Sequence, residues 1–256
     1  LATIFVAWFW LTTPAAEPGQ IVVFPDTRFA KGPFFASVAP WGGRSEALTA
    51  LWSNHADAMV VSPSRFPANT HMTWRWPPFS QRTVGVWAYN AVTYGRYVHD
   101  QPQYQVAPIR VRNIKTLRST FQWSISDSFG TANVLNEFFL FGSPIDASSK
   151  RLEVGWLLHA PSKSRRYFES QPLVGRYVDD QGRAWQVRQD GQYCMFAPDR
   201  ASDQPSGTIN MLHALEWLHG KGKVRGDEWF TGFAIGIEPT AGIGSFDLHE
   251  WQVTVN

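Results

Sequence analysis

The sequence predicts an all-β fold, a sandwich or jelly roll with one α-helix, on three observations. Apolar residues come in short runs broken by Gly, Pro, Asn and Ser clusters, the punctuation of a strand-rich domain. A single segment carries a helical repeat instead. The chain has 256 residues, fewer than two domains at ~150 residues each, and single sandwiches and barrels reach this size with a large core.

The candidate strands are 58–61, 72–76, 84–89, 109–111, 119–126, 132–141, 151–159, 175–178, 184–188, 192–196, 230–237 and 245–255. Three loops are marked by GSPIDASSK, APSKSRRYFES and APDRASDQPSG. The helix is predicted over 208–219, where Ile209, Leu212, Leu215 and Leu218 recur every three residues, Ser206 or Thr208 can cap and Gly220 can stop. A helix on the convex side leaves the concave side free for a ligand.

The chain opens with LATIFVAWFWL followed by TTPAAEPG, whose small residues suit a cleavage near Ala15 or Ala16. Residues 1–16 therefore read as the remnant of a clipped export signal, and 17–256 as a single secreted domain. The competing reading is an ordinary buried strand, since no positive charge precedes Arg28. As a helix the run is too short for a bilayer, which needs ~20 residues. Nothing later is longer, so no membrane partner is expected.

Charge and cysteine content narrow the function classes. Lys and Arg number 23 against 21 Asp and Glu, so the net charge is 23 − 21 = +2, too balanced for nucleic acid as the main partner. One cysteine, Cys194, cannot form an intrachain disulfide, and no Cys/His cluster has metal-ligand spacing. No cofactor is expected. Charged residues are 17% of the chain, under the ~25% of ordinary domains, while aromatics reach 15% with 13 Trp. Rings and uncharged groups must therefore do most of the polar work.

Carboxylates inside apolar strands carry the chemistry, because an unpaired buried charge is costly. Glu137 lies in ANVLNEFFLF, Glu153 in RLEVGWLL and Glu238 in FAIGIEP. By strand alternation Glu153 shares its face with Gly155 and Leu157, Glu238 with Gly236 and Thr240, and Glu137 with Leu135 and Phe139. The small partners suggest room for a ligand. Each Glu alone could equally be a solvated position or the partner of an Arg such as Arg151. Two carboxyls facing each other across an aromatic cleft suit glycosidic bond cleavage, one giving a proton to the leaving oxygen and the other attacking or activating water. Indoles stack on the apolar faces of sugar rings, and Trp74, Trp76, Trp87, Trp185 and Trp41 are the candidate platforms. The histidines, including His213, His219 and His249, form no Ser/His/Asp or metal signature, and Asp179 and Asp180 read as a polar turn before Gly182.

The segments ANVLNEFFLF, LEVGWLL and GFAIGIEPTAGIGSFDLHEWQVTVN resemble consecutive strands and the tail of glycoside hydrolase family 12, the small endo-β-glucanases and xyloglucanases. The most specific part is Gly236, Glu238, Pro239, Gly242, Gly244 and Trp251; MTWRWP and VGVWAYNAVTYG resemble the family more weakly. The resemblance covers roughly 50–256. It implies an all-β jelly roll of two packed antiparallel sheets with a concave cleft, and a retaining endo-acting hydrolase of β-1,4-glucosidic bonds. It also implies Glu153 as nucleophile, Glu238 as acid/base and Glu137 as assisting carboxylate, with Trp74, Trp76, Trp87, Asn133 and Trp185 binding a β-glucan substrate. Neighbouring charge and burial should raise the pKa of Glu238, and hydrogen bonds should keep Glu153 ionised. The chain departs from the family pattern at Glu137, where Asp is usual, at Gly155, where Met is frequent, in the early Trp156, and in Glu–Pro–Thr. A monomer is expected. The alternatives are a non-catalytic carbohydrate-binding protein on the same scaffold, or a hydrolase of mixed-linkage glucan or xylan.

Overall fold

Period-two alternation becomes strand in both of the units into which the chain divides. The computed structural model describes residues 14–45, 53–97 and 106–256, so the apolar run of the proposed export signal lies outside the described residues. One unit takes the chain through Val92 together with Trp123–Asn133 and Gly236–Glu250; the other takes Thr93–Gln122, Val134–Ile235 and Trp251–Asn256. In chain order the strands are β1 (Ile21–Val23), β2 (Phe29–Lys31), β3 (Phe34–Ala39), β4 (Asp57–Val61), β5 (Thr70–Arg75), β6 (Tyr89–Gly95), β7 (Ile109–Arg110) and β8 (Leu117–Phe141). Then come β9 (Lys150–His159), β10 (Leu173–Val178), β11 (Ala184–Asp190), β12 (Tyr193–Pro198), β13 (Ser206–Asn210) and β14 (Trp229–Val255). Four α-helices are described: α1 (Trp41–Arg44), α2 (Ser53–Ala56), α3 (Ser162–Ser170) and α4 (Met211–Gly220).

In the first unit β1 pairs with β4, β4 with β5, and β5 with β14, all antiparallel. Asp57 stands opposite Trp74, and Trp74 opposite Gly244. Met59, Met72, Trp74, Phe246 and Leu248 are buried between these strands, and Trp123 stacks on Phe246 at 5.9 Å. The predicted strands break at 127–131 and 238–244, yet β8 and β14 run straight through both gaps. The glycines there permit close approach instead of ending strands. A Cβ at Gly130 would stand 2.7 Å from the Ala241 carbonyl oxygen, and one at Gly244 would overlap the Trp74 indole.

In the second unit β8 pairs antiparallel with β9, placing Glu137 opposite Gly155. Strand β12 lies parallel to β9, with Tyr193 beside Glu153, where the sequence predicts only antiparallel pairs. The intervening α3 and the β10–β11 hairpin form the long connection that a parallel neighbour requires. Rings fill the interior: Trp156 stacks on Phe196 at 4.8 Å, and Phe138 meets Phe230 edge-on at 5.6 Å. Asp179 and Asp180 do precede the turn at Gly182, whose N–H donates to the Asp179 carbonyl.

The helices differ from expectation in two ways. The predicted 208–219 helix starts at Met211, because Ser206–Asn210 pairs with β8 as a strand. Asn210 supplies the cap, its Oδ1 accepting from the His213 N–H at 3.3 Å. Met211, Ala214, Leu215 and Leu218 form the buried stripe, and Ile209 is buried in the strand. The segment APSKSRRYFES, predicted as a loop, contains α3. Its Arg165 pairs with Glu169 one turn on at 2.8 Å and lies over the Phe168 ring, and Phe168 is buried. One buried residue per helix leaves too faint a period to read from sequence.

Asp57 is wholly buried, and both of its oxygens lie 3.0 Å from the Trp76 Nε1 that donates to them. Burial pushes its carboxyl up from 3.8 to about 8, against the Trp76 hydrogen bond, which pulls it down. The folded state therefore holds a proton that the unfolded chain releases near pH 4. That contribution is complete below the unfolded pKa and is lost as pH rises through about 8. In urea unfolding at pH 5 and pH 9, the wild type should lose stability relative to Asp57→Asn at the higher pH, since Asn carries no titratable proton. A difference that is the same at both pH values would contradict the burial of a neutral Asp57.

Candidate active site

Each of the three glutamates singled out in the sequence sits on a long strand, and each has a different surrounding. In the stretch 230–240 of β14, Glu238 is the one residue that is not buried; in the stretch 152–158 of β9, Glu153 is the one residue that is not buried. Alternation cannot produce this, because the neighbours on both faces are covered. Something opens at each carboxyl alone.

Glu238 belongs to the first unit with Asn133, whose Nδ2 donates to Glu238 Oε2 at 3.0 Å. Asn133 is itself buried. It therefore acts through a carboxylate, not as the ligand contact the sequence suggested. Two residues along each strand, the Thr131 and Thr240 hydroxyls meet at 2.6 Å. Behind Glu238 the chain is pinned by backbone bonds: Trp87 N–H donates to the Pro239 carbonyl, and Trp76 N–H to the Gly242 carbonyl, both at 2.8 Å. The space beside Gly236 is not open to a ligand, since a Cβ there would strike the Asn90 carbonyl and Ala91.

Glu153 and Glu137 belong to the second unit. Lys150 Nζ bonds Glu153 Oε2 at 3.1 Å and lies over the Phe139 ring at 4.9 Å. Burial pushes the Glu153 carboxyl above its ordinary value; the charge and hydrogen bond of Lys150 pull it down but do not overcome burial. The sequence leads to the expectation that hydrogen bonds keep Glu153 ionised; the Lys150 bond acts in that direction, but burial is the larger effect. Glu137 is 4% exposed and accepts from the Tyr97 hydroxyl through Oε1, while the Tyr193 hydroxyl stands 3.5 Å from its Oε2. Gly155, opposite Glu137, is the reason Tyr193 fits: a Cβ there would stand 2.5 Å from the Tyr193 hydroxyl oxygen. The space expected for a ligand beside Gly155 is thus filled by a phenol of the chain itself.

The aromatic platforms require correction. Trp74, Trp76, Trp87 and Trp185 are all fully buried, so none offers a face to a sugar. Their indole N–H groups account for it, as each finds an internal acceptor: the Ala241 carbonyl for Trp74, Asp57 for Trp76, the Phe79 carbonyl for Trp87 and Asp179 for Trp185. An indole satisfied inside can be buried whole. Trp41, at the start of α1, is 46% exposed, and Phe79 is exposed as well. Sequence reasoning missed Lys150, Tyr97 and Tyr193. Of these only Lys150, three residues before Glu153, lies near enough in sequence to have been flagged.

The Glu153 environment has a measurable consequence. A carboxyl-carbon NMR titration should give Glu153 a pKa above the ordinary 4.5. Lys150→Met should raise it further, because the cation favours the ionised form. A Glu153 that titrates below 4.5, or that is unmoved by Lys150→Met, would contradict this arrangement.

No protein-family model matches the sequence, and no curated protein matches it. Among solved structures, endoglucanase 3 of Trichoderma harzianum, from glycoside hydrolase family 12, superposes with a TM-score of 0.71 at 18% identity, over 94% of this chain and 100% of that one. A family 12 xyloglucanase of Bacillus licheniformis superposes with a TM-score of 0.70 at 17% identity, over 93% and 99%. An endoglucanase of Rhodothermus marinus gives 0.67 at 16%, over 92% and 99%. The described residues are mostly strand with few helices, and the chain has the β-jelly-roll fold of the family 12 glycoside hydrolases.

Proposed function

We propose that the protein is a secreted, retaining, endo-acting glycoside hydrolase that cleaves β-1,4-glucosidic bonds in a cellulose-like glucan or xyloglucan. The observation that carries the reading is the selective exposure of Glu153 and Glu238 within otherwise buried stretches, at the two positions the sequence resemblance marks. The fold shared with family 12 endoglucanases and a xyloglucanase supports it. Among the described residues no helix is long and apolar enough to cross a membrane.

In this reading the ionised Glu153 attacks the anomeric carbon while Glu238 gives its proton to the departing glycosidic oxygen, so the C–O bond breaks and a glycosyl ester forms on Glu153. Water then attacks the same carbon, Glu238 takes its proton, and the ester C–O bond breaks, restoring both carboxyls with retained configuration. Asn133 orients Glu238 by its hydrogen bond to Oε2. Glu137, held by Tyr97 and Tyr193, assists Glu153. Burial raises the Glu153 pKa, so loss of activity on the acid side follows protonation of the nucleophile. Trp41, with a half-open face, replaces the buried indoles as the sugar platform.

Glu153→Gly and Glu238→Ala should each cut turnover of soluble β-glucan by several orders of magnitude, with different rescue. Azide added to the Glu153 variant should yield a glycosyl azide of inverted configuration. Azide added to the Glu238 variant, with an activated aryl glycoside, should yield the retained product. A 2-fluoro glycoside inactivator should label Glu153, and the two carboxyls should lie about 5–5.5 Å apart in a crystal structure. Labelling of Glu137, or a separation of roughly 6.5–9.5 Å as in inverting enzymes, would overturn the assignment. Binding of β-glucan without any hydrolysis would leave a carbohydrate-binding protein in its place.

A further inference from the structure

A fully buried aspartate that takes no part in the proposed reaction stands on β4, which pairs with β5, the neighbour of the strand bearing Glu238. Asp57, the first residue of β4, accepts the Trp76 Nε1 hydrogen at 3.0 Å. The Trp76 ring lies parallel to that of Trp87, 5° between planes and 5.2 Å between centroids. Its opposite edge meets Gly43, where a Cβ would stand 2.5 Å from the ring atom Cζ3. The Gly43 N–H in turn donates to the Trp87 carbonyl at 2.8 Å. The Trp76–Trp87 pair is therefore fixed at its N–H by Asp57, on one face by the stack and at its edge by a residue that has no side chain.

This fixed pair holds the segment that follows Glu238. Trp87 N–H bonds the Pro239 carbonyl, the next residue after Glu238, and Trp76 N–H bonds the Gly242 carbonyl, both at 2.8 Å. Gly242 N–H then bonds the Pro77 carbonyl at 2.8 Å, one residue beyond Trp76. The main chain of the two stacked tryptophans thus holds both ends of Pro239–Gly242. Burying an acid is expensive even when it is hydrogen-bonded. Hydrophobic packing alone would seat two stacked indoles, but it is non-directional; the hydrogen bond to Asp57 adds a single allowed orientation.

We propose that Asp57 is a positioning residue for Glu238: by fixing the orientation of the Trp76 indole, and through the stack that of Trp87, it sets the backbone at Gly242 and Pro239, and with it the line along which Glu238 delivers its proton. The inference rests on the proposed role of Glu238 as acid/base. It makes Asp57 matter for substrates in proportion to how much their leaving group needs that proton. Asp57 touches no reacting atom.

The test compares two substrates of the wild type, Asp57→Ala, Asp57→Asn and Trp76→Phe. Unsubstituted cello-oligosaccharide has a leaving group that must be protonated; 2,4-dinitrophenyl β-cellobioside has one that need not be. Asp57→Ala should lower kcat/KM on the oligosaccharide tenfold or more, part of the roughly 10²–10⁴-fold that general acid catalysis supplies. It should leave kcat/KM on the dinitrophenyl glycoside within about threefold, since that constant reports formation of the glycosyl ester and the leaving group draws nothing from the acid there. Trp76→Phe keeps the stack but removes the N–H and should show the same split, which covers the case in which Asp57→Ala does not fold. Asp57→Asn keeps an acceptor for the indole and should restore the wild-type ratio. Equal losses on both substrates, or an unchanged ratio in both Asp57→Ala and Trp76→Phe, would overturn the positioning role while the proposed function stood. A wild type that hydrolyses neither glycoside would overturn both.

Discussion

Acids embedded in closely packed strands impose the constraint to which the rest of this structure responds. A carboxylate removed from water without a partner is unstable by several kcal/mol or more, and this chain buries several within its strands or at their ends. Each finds a different solution. Asp57 takes an indole N–H and rises to about 8. Glu137 takes phenol hydroxyls. Asp179 is held below its ordinary range by Trp185 and Arg183 in spite of burial. Glu228 accepts the backbone N–H groups of Arg225 and Gly226. Glu153 and Glu238 alone of this set keep partial exposure, and Lys150 and Asn133 donate to them. The proposed roles of nucleophile and acid/base rest on that combination of exposure and a donor.

The tryptophans and glycines answer the same constraint from the other side. With few charged residues, the buried acids draw on indole and phenol donors, so rings that might have faced a ligand are turned inward. Trp76 serves Asp57 and Trp185 serves Asp179, and each ring is then large enough to fill its surroundings. Glycines make that packing possible. Gly155 admits Tyr193 against Glu137, Gly43 admits the edge of Trp76, and Gly244 admits Trp74. In each case the hydrogen in place of a side chain is occupied space, which is why small residues beside an acid proved a poor sign of a ligand cavity.

Much of the strand content was legible because the period of two survives wherever one face is covered. The runs at 151–159, 184–188 and 192–196 became β9, β11 and β12 with shifts of one or two residues. Glycine and proline misled at 127–131 and 239–244, where they serve close strand approach within β8 and β14 and not a turn. The helix boundary moved for a similar reason: residues 208–210 continue the helical period but gain ladder hydrogen bonds with β8, and a ladder outweighs a weak local propensity. The site was partly readable. Glu137, Glu153 and Glu238 stood out as acids in apolar runs, whereas Tyr97 and Tyr193 lie about 40 and 56 residues from Glu137 in sequence and gave no local sign.

By itself the sequence determined the class of the fold and which acids had to be explained, because alternation, charge scarcity and the cost of an embedded carboxylate act over a few residues. Tertiary structure decided which partner each acid received and which aromatic faces remained open. The parallel placement of β12 beside β9 brings Tyr193 to Glu153 and over Gly155, and the pairing of β4 with β5 seats Asp57 near Trp76. Those encounters depend on strand order and register, and a side chain's neighbours across a sheet are set by where another strand lands, which no local pattern encodes.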